Sequence, residues 1–322
     1  MEKSKNDFSF LFMMSRSGIM GGCFAEMEKI VDNYKNKLMS KKLSENTINS
    51  YISDIKSFIS YVEAEYNEVY SNVKKTQILT YLVDLQKKGK SSSTIARNIS
   101  SLKNFYDYLR EEKIVSENPT QSIHSPKHIK KIPSVLTEDE VVKLMNLPDV
   151  STFKGSRDSA ILELLYSSGI KVTELINIKL NDIVFHASII RINGGSKKSV
   201  QFRAVPIGSI ALNAINNYIS NFRVYKSKEE SDYLFINNSG EALTRQGVWK
   251  ILKYYEKKLE INHELSPQIL RNSFAVHLLN NGADIASVQE LMGHKNITAM
   301  QNYLQATEQK SLEMFKSSHP RA

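Results

Sequence analysis

Residues 266–306 limit the fold of this chain more than any other stretch, because they contain two helix patterns together with their end signals. Apolar residues recur at helical spacing after Arg271 and stop at Asn281 and Gly282, a pair typical of a helix C-terminus. Asp284 can cap a second helix, which Gly293 ends. The stretch therefore predicts two consecutive helices joined by a short turn.

Three side chains suited to phosphate chemistry lie in the same stretch. Arg271 opens the first predicted helix, His294 follows the second, and Tyr303 comes nine residues later on a further short helical pattern. Arg offers a planar fork of donors to phosphate oxygens, and a Tyr hydroxyl can form a covalent intermediate. Because the chain has 15 Tyr and 7 His, most of them must be structural, so the spacing by itself only suggests attack on a phosphodiester.

The length and charge of the chain narrow its class. At 322 residues it is long for a single core, so two domains are expected. Its 43 Lys and Arg against 34 Asp and Glu leave a net charge of +9, which favours a polyanionic partner. Nucleic acid is the leading candidate, and a solvated basic surface with no particular ligand is the alternative.

The number of cysteines and the N-terminal segment exclude further classes of protein. The single Cys23 excludes an intramolecular disulfide and a Cys-cluster metal site, as expected for a reducing cytoplasm. The apolar run at residues 8–14 is too short to span a bilayer. We expect a cytoplasmic protein without a membrane segment, whose residues 1–23 form a disordered leader and whose start is either the first residue, Met20 or Met27.

Residues 24–124 are predicted to form a domain of four or five helices. Ser44 is a candidate N-cap for a helix over residues 45–62, and two more amphipathic helices are predicted over residues 76–87 and 93–110. Arg97 and Lys103 lie off the apolar stripe of the last helix. They either contact phosphates or only form a solvated helix face.

A segment without periodicity, SPKHIKKIPS at residues 125–134, is predicted to be a linker because it contains two prolines. Its lysines, Lys127, Lys130 and Lys131, are candidates to follow a DNA backbone, although a solvated tether is the simpler interpretation. The second domain is expected over residues 135–322.

The second domain is predicted to be mainly helical with a small β-hairpin. A capping box at Thr137 starts it, and a helix over residues 157–168 follows. The predicted strands cover residues 188–193, 200–207 and 233–236. Lys197 and Lys198 lie at the turn between the first two strands, and Trp249 is expected in the core.

The motif LRNSFAVHLLNNGADIASVQELMGHKNITAMQNYLQA at residues 270–306 resembles the C-terminal signature of the tyrosine recombinase (phage integrase) family. SENTINSYISDIKSFISYVE at residues 44–63 is similar to the core-binding domain of that family, and the ending HPRA resembles that of its chromosomal Xer branch. The resemblance covers nearly everything from residue 24 onward. It implies a mainly α fold with a small β-hairpin, an α+β protein arranged as a two-domain, C-shaped DNA clamp.

The resemblance also implies roles for individual residues. Tyr303 is the expected nucleophile, which attacks the scissile phosphate to give a 3′-phosphotyrosyl link, while Arg271 holds the non-bridging oxygens. Lys198, with Lys197 as the alternative, is expected to protonate the leaving 5′-oxygen, and His294 to donate to the pentacoordinate phosphorane. No metal or other cofactor is implied.

The implied partner is double-stranded DNA at a short recombination site. Two recombinases are expected on each site and four in the synapse, either as a homotetramer or as a heterotetramer with another recombinase. Chromosome dimer resolution, mobile-element integration and promoter inversion all remain open as the biological role.

Three positions differ from the usual pattern of the family. Lys171, within GIKVTELINIKLNDI, stands where the first catalytic Arg is expected. Gln268 replaces the first His of the His-x-x-Arg motif, and Asn272 replaces the second His that commonly follows the Arg. Lys keeps the charge but loses the planar fork, and Gln cannot titrate near neutral pH. Two hypotheses therefore stay open: an active recombinase, or a catalytically degenerate DNA-binding protein with the same fold.

Overall fold

The structure is a computed structural model that describes residues 20–125, 133–193, 202–228, 231–261, 263–293 and 303, with backbone alone over residues 20–26. The described chain forms two compact units, Met1–Ile129 and Lys130–Ala322. The boundary between them falls inside the predicted linker. Along the described part of the chain, no helix is both long and apolar enough to cross a membrane.

Several sequence predictions fall outside the described residues. These are the leader up to residue 19, the tail after Tyr303, and the side chains of Lys127, Lys130, Lys131, Lys197, Lys198 and His294.

The first unit consists of helices around an aromatic core. Tyr34, Phe58, Phe105 and Tyr106 are fully buried, and the rings of Tyr34 and Phe105 meet edge to face with centroids 5.1 Å apart. Its described α-helices are α1 (Met20–Ser40), α2 (Glu45–Tyr66), α3 (Lys75–Lys87) and α4 (Ser92–Glu111).

These helices agree with the predicted periodicity, with two differences at their starts. The Ser44 side chain accepts from the Thr47 amide at 3.2 Å, so it caps α2 as predicted. Helix α4 begins at Ser92, one residue before its predicted start at residue 93, and Ser91 is its N-cap. The first helix begins at Met20, inside the segment expected to be a disordered leader, because residues 20–23 continue the helix that Met27, Ile30 and Val31 anchor in the core.

The second unit packs helices around α6, whose residues are buried on nearly all sides. A three-stranded antiparallel sheet in the order β1-β2-β3 lies beside them. The described helices are α5 (Glu138–Met145), α6 (Phe153–Ser168), α7 (Val172–Leu175), α8 (Ser209–Asn221), α9 (Arg245–Leu259), α10 (Pro267–Asn280) and α11 (Ile285–Met292). The strands are β1 (Ile183–Val184), β2 (Ile189–Asn193) and β3 (Phe202–Pro206).

The predicted hairpin is present, with Ile190 opposite Val205, and the mainly α fold with a small sheet is confirmed. The predicted strand at residues 233–236 is wrong. Only isolated bridges form there, between Lys179 and Tyr233 and between Ile236 and Ala242. The physical reason is Arg223, whose guanidinium takes the carbonyls of Tyr233 and Leu234 and so removes them from a strand ladder.

The prediction that Trp249 lies in the core is also wrong, because its side chain is 48% exposed. The buried face of α9 is formed by Val248, Ile251, Leu252 and Tyr255, and Trp249 lies one residue, or about 100°, away from Val248. The Lys253 ammonium sits 5.2 Å from the centre of the Trp249 ring.

Helix ends bring the predicted site residues toward one another. Ser266 caps α10 by accepting from the Ile269 amide, with Pro267 in the first turn. Gly169 ends α6 at φ +57°, and Gly293 ends α11 at φ +62°. Both glycines occupy the left-handed region that closes a helix.

Candidate active site

Arg271 lies in the second turn of α10 and is only 2% exposed. Its Nη1 donates to the carbonyl of Gly169, and its Nη2 donates to the carbonyl of Met292 at 2.5 Å. Burial lowers the pKa of the guanidinium, while the charges of Glu174 and Tyr303 oppose that change. The ends of α6 and α11 therefore fix the orientation of Arg271.

Tyr303 is 5% exposed, and its hydroxyl donates to Oδ1 of Asn272 at 3.1 Å. Burial raises the pKa of the Tyr303 phenol, whereas the nearby Arg271 charge and a hydrogen bond with Gln268 lower it. The structure thus brings together Tyr303, Arg271 and two of the three positions that depart from the family pattern.

Asn272 and Gln268 form a short hydrogen-bond network beneath the phenol. Nδ2 of Asn272 donates to the carbonyl of Ser134 at 3.2 Å, so its Oδ1 is the atom that faces Tyr303. Nε2 of Gln268 donates to the same Oδ1 at 2.8 Å. The phenol hydroxyl therefore donates to an amide oxygen, which accepts the hydrogen bond but does not take up the proton near neutral pH.

Lys171 is the N-cap residue of α7, and its side chain is 47% exposed. Its Nζ lies 3.8 Å from Oε1 of Glu174, and its backbone amide donates to Oε2 of the same carboxylate at 2.8 Å. Burial disfavours the Glu174 carboxylate, but hydrogen bonds from Arg203 and from the Lys171 amide hold its pKa below the usual range. A carboxylate thus separates two cations at the edge of the site.

Arg203, on β3, is a site residue that the sequence interpretation missed. Its Nη1 and Nη2 lie 3.3 and 3.2 Å from the two oxygens of Glu174. The available signal was strand alternation: Arg203 shares a face of β3 with the fully buried Val205. A charged residue on the core side of a strand usually has a buried partner.

Two other predicted DNA-binding residues, Arg97 and Lys103, lie on α4 in the first unit. Arg97 is paired with buried Asp54, to which its Nε and Nη2 donate at 2.9 and 2.8 Å. Asn98 and Ser101 donate to the same carboxylate. Arg97 therefore has a structural role in joining α2 to α4, whether or not it touches DNA.

No group of three or more His, Cys, Asp or Glu side chains within the described ranges is arranged to hold a metal ion.

Comparison with known proteins identifies the family. The Phage integrase family matches residues 134–310, and the N-terminal SAM-like domain of phage integrases matches residues 31–113. The chain belongs to the phage integrase family. It is a site-specific tyrosine recombinase, an enzyme of DNA recombination.

Curated relatives point to the Xer branch. Tyrosine recombinase XerD of Staphylococcus haemolyticus is 38% identical over 298 residues, covering 92% of this chain and 100% of the relative. Tyrosine recombinase XerD of Halalkalibacterium halodurans is 39% identical over 303 residues, with the same two coverages. The prediction of a Xer-type recombinase is thereby confirmed.

Solved structures share the fold of the recombinase. A XerH site-specific recombinase bound to a palindromic difH substrate matches with a TM-score of 0.70 at 20% identity, covering 85% of this chain and 80% of that one. A lambda integrase dimer bound to a COC′ core site matches with a TM-score of 0.67 at 19% identity, covering 86% and 76%.

Proposed function

We propose that this recombinase cuts and rejoins DNA with Tyr303 as its nucleophile and Arg271 as the clamp on the scissile phosphate. The observation that carries the proposal is that both side chains are buried at one place, where the Tyr303 hydroxyl donates to Oδ1 of Asn272, the residue after Arg271. Burial raises the pKa of the phenol, and the nearby Arg271 charge opposes that rise. A guanidinium beside a phenol favours the phenolate and offers donors to the phosphate that the phenolate attacks.

The reaction conserves the energy of the broken bond. The Tyr303 hydroxyl loses its proton to solvent and its oxygen attacks phosphorus. The P–O bond to the 5′-oxygen breaks, and the leaving oxygen takes a proton from Lys198 or from Lys197. His294 and Lys171 supply further positive charge to the phosphorane. The product is a 3′-phosphotyrosyl link and a free 5′-hydroxyl, and attack by a 5′-hydroxyl of the partner duplex reverses the step and exchanges strands.

The proposed substrate is double-stranded DNA at a short recombination site. The net charge of +9 supports this substrate, because a basic surface attracts the phosphate backbone. Arg97, Lys103, Lys127, Lys130, Lys131 and Lys197 are the proposed phosphate contacts. The XerH and lambda integrase structures are complexes with recombination-site DNA, which supports the same substrate class here.

The proposed assembly is a tetramer in the synapse, formed by four copies of this chain or shared with a second recombinase. The lambda integrase match is a dimer on one core site, and two such dimers on two sites make four protomers.

The test is covalent trapping on a nicked duplex. Genomic sites bound by the Tyr303→Phe variant supply the DNA, and a nick beside the scissile phosphate lets the freed strand diffuse away so that the covalent complex accumulates. Wild type is expected to form this complex, and Tyr303→Phe is expected to bind the same duplex without forming it. Tyr254→Phe, which alters an exposed Tyr of the same unit, is the matched control and should cleave normally.

Binding by wild type without any covalent complex would contradict the proposed chemistry and leave a DNA-binding protein. A covalent complex that survives Tyr303→Phe would contradict the choice of nucleophile.

A further inference from the structure

Two arginines span the same pair of segments in the second unit. Arg271 joins the carbonyl of Gly169 to the carbonyl of Met292. Arg203 binds Glu174, five residues after Gly169, and lies against Gly293, the residue after Met292. The Gly169–Glu174 segment and the end of α11 are therefore connected twice.

The contact between Arg203 and Gly293 is very close. A Cβ added to Gly293 would overlap Nη1 of Arg203 and come within 2.8 Å of its Cζ. The guanidinium thus lies directly on the glycine Cα. Gly293 also has φ +62°, which an L-residue adopts only with strain.

The hydrogen bonds of Arg203 are incomplete. Its Nε is buried and has no hydrogen-bond partner among the described residues, although both Nη atoms reach Glu174. Leaving a buried donor unsatisfied is unfavourable and calls for an explanation. Fixing the distance between two segments is such an explanation, because the planar guanidinium contacts Glu174 and the surface of Gly293 as one rigid group.

Arg271 depends on that distance. Its two carbonyl acceptors belong to the two segments, so the direction of its guanidinium follows from how far apart they are held. Lys171, three residues before Glu174, belongs to the same segment and is anchored to the same carboxylate by its backbone amide.

We propose that Arg203 is a positioning residue for DNA cleavage, which holds Glu174 and Gly293 at the separation that aims Arg271 and places Lys171. This inference rests on the proposed role of Arg271 at the scissile phosphate. Arg203 acts through its neighbours and does not itself touch the DNA.

The test compares four variants on the nicked duplex used for trapping: Arg203→Gln, Gly293→Ala, the double variant, and Gly282→Ala. Gly282 is the matched control, because it also lies at a helix end with positive φ, +88°, but a Cβ there meets nothing within 4 Å. Both glycine variants carry the same kind of backbone strain, and only Gly293→Ala displaces Arg203.

We expect Arg203→Gln and Gly293→Ala each to slow single-turnover cleavage by about 10²-fold, the usual effect of misplacing a reacting group by about 1 Å. DNA affinity should stay within about threefold of wild type, since the residue makes no contact with DNA, and this also verifies that each variant is folded. Gly282→Ala should cleave at the wild-type rate. The double variant should cleave no more slowly than the slower single variant, because both changes disrupt the same contact, that between Arg203 and Gly293.

Cleavage by Arg203→Gln at the wild-type rate would overturn the inference while leaving the proposed function intact. Equal losses in Gly293→Ala and Gly282→Ala would overturn it too, because strain alone would then explain the effect. Multiplied losses in the double variant would show that the two residues act separately, which also contradicts it. Failure of wild type to cleave is a different result, which removes the proposed function together with the inference.

Discussion

At the scale of single residues, the unusual feature of this recombinase is what surrounds its tyrosine. Gln268 and Asn272 stand where we expect two histidines from the family resemblance, and both belong to the hydrogen-bond network of Tyr303. Neither amide titrates, so the network orients the phenol without removing its proton. Burial raises the pKa of Tyr303, which makes the phenolate scarce at neutral pH.

A histidine at position 268 could accept the Tyr303 proton, so Gln268→His should raise the cleavage rate near neutral pH. With the pKa of Tyr303 raised, the phenolate fraction of wild type increases about tenfold per pH unit below that pKa, and the cleavage rate should follow it. In Gln268→His, a neutral imidazole accepts the proton above a pH of about 6.5, so the rate should be higher at pH 7 and nearly level above it. Single-turnover rates from pH 6 to 9 measure both profiles. A flat profile for wild type would contradict this account.

Position 171 offers a second test at this scale. Lys171→Arg replaces a point charge by a planar fork that can hold two phosphate oxygens. We expect cleavage to become about tenfold faster, which is less than the roughly 10²–10³-fold effect of a whole donor because Lys171 already supplies the charge. The measurement is single-turnover cleavage of the nicked duplex at saturating protein. An unchanged rate would show that residue 171 does not face the scissile phosphate.

At the scale of elements, sequence alone predicts the helices and their ends well. Ser44, Thr137, Asp284, Gly169 and Gly293 act as caps because capping depends on residues within one turn. Helix periodicity alone places Trp249 off the buried face of Val248, Ile251, Leu252 and Tyr255, so its exposure was predictable. The missing strand at residues 233–236 was not, since it depends on Arg223, which lies ten or more residues away in the chain.

The candidate site is likewise predictable from sequence only in part. Sequence places Arg271 on a helix and identifies Tyr303 by motif, but it gives no distance between them. Arg203 was missed because its partner Glu174 lies 29 residues away in the chain and its contact with Gly293 involves no side chain of the glycine.

The pair of Arg97 and Asp54 makes a prediction about helices α2 and α4. Arg97→Gln leaves the buried Asp54 carboxylate with Asn98 and Ser101 only, so the free energy of unfolding should fall by about 1–2 kcal/mol. This is less than for a fully buried pair, because the Arg97 side chain is 45% exposed. Urea unfolding measures the change, with Lys103→Gln on the same helix as the control. An equal free energy of unfolding for Arg97→Gln and Lys103→Gln would contradict the structural role of Arg97.

At the scale of the whole molecule, charge makes the clearest prediction. Binding to non-specific duplex should weaken with salt along a straight log–log line, with a slope of about −0.9 for each phosphate neutralised. Changing Lys127, Lys130 and Lys131 together to Gln should make the slope shallower by about one unit for each of the three that contacts a phosphate. Fluorescence anisotropy from 50 to 300 mM salt measures it. A salt-independent affinity would contradict the basic DNA-binding surface.

The most direct test of the account is to find the atom that carries the DNA. Wild-type protein trapped on the nicked duplex is digested with protease and nuclease, and the modified peptide is sequenced by mass spectrometry. We predict a nucleotide attached through its 3′-phosphate to Tyr303, and a free 5′-hydroxyl on the released strand. Attachment at any other residue, or a 5′-phosphate on the released strand, would contradict it.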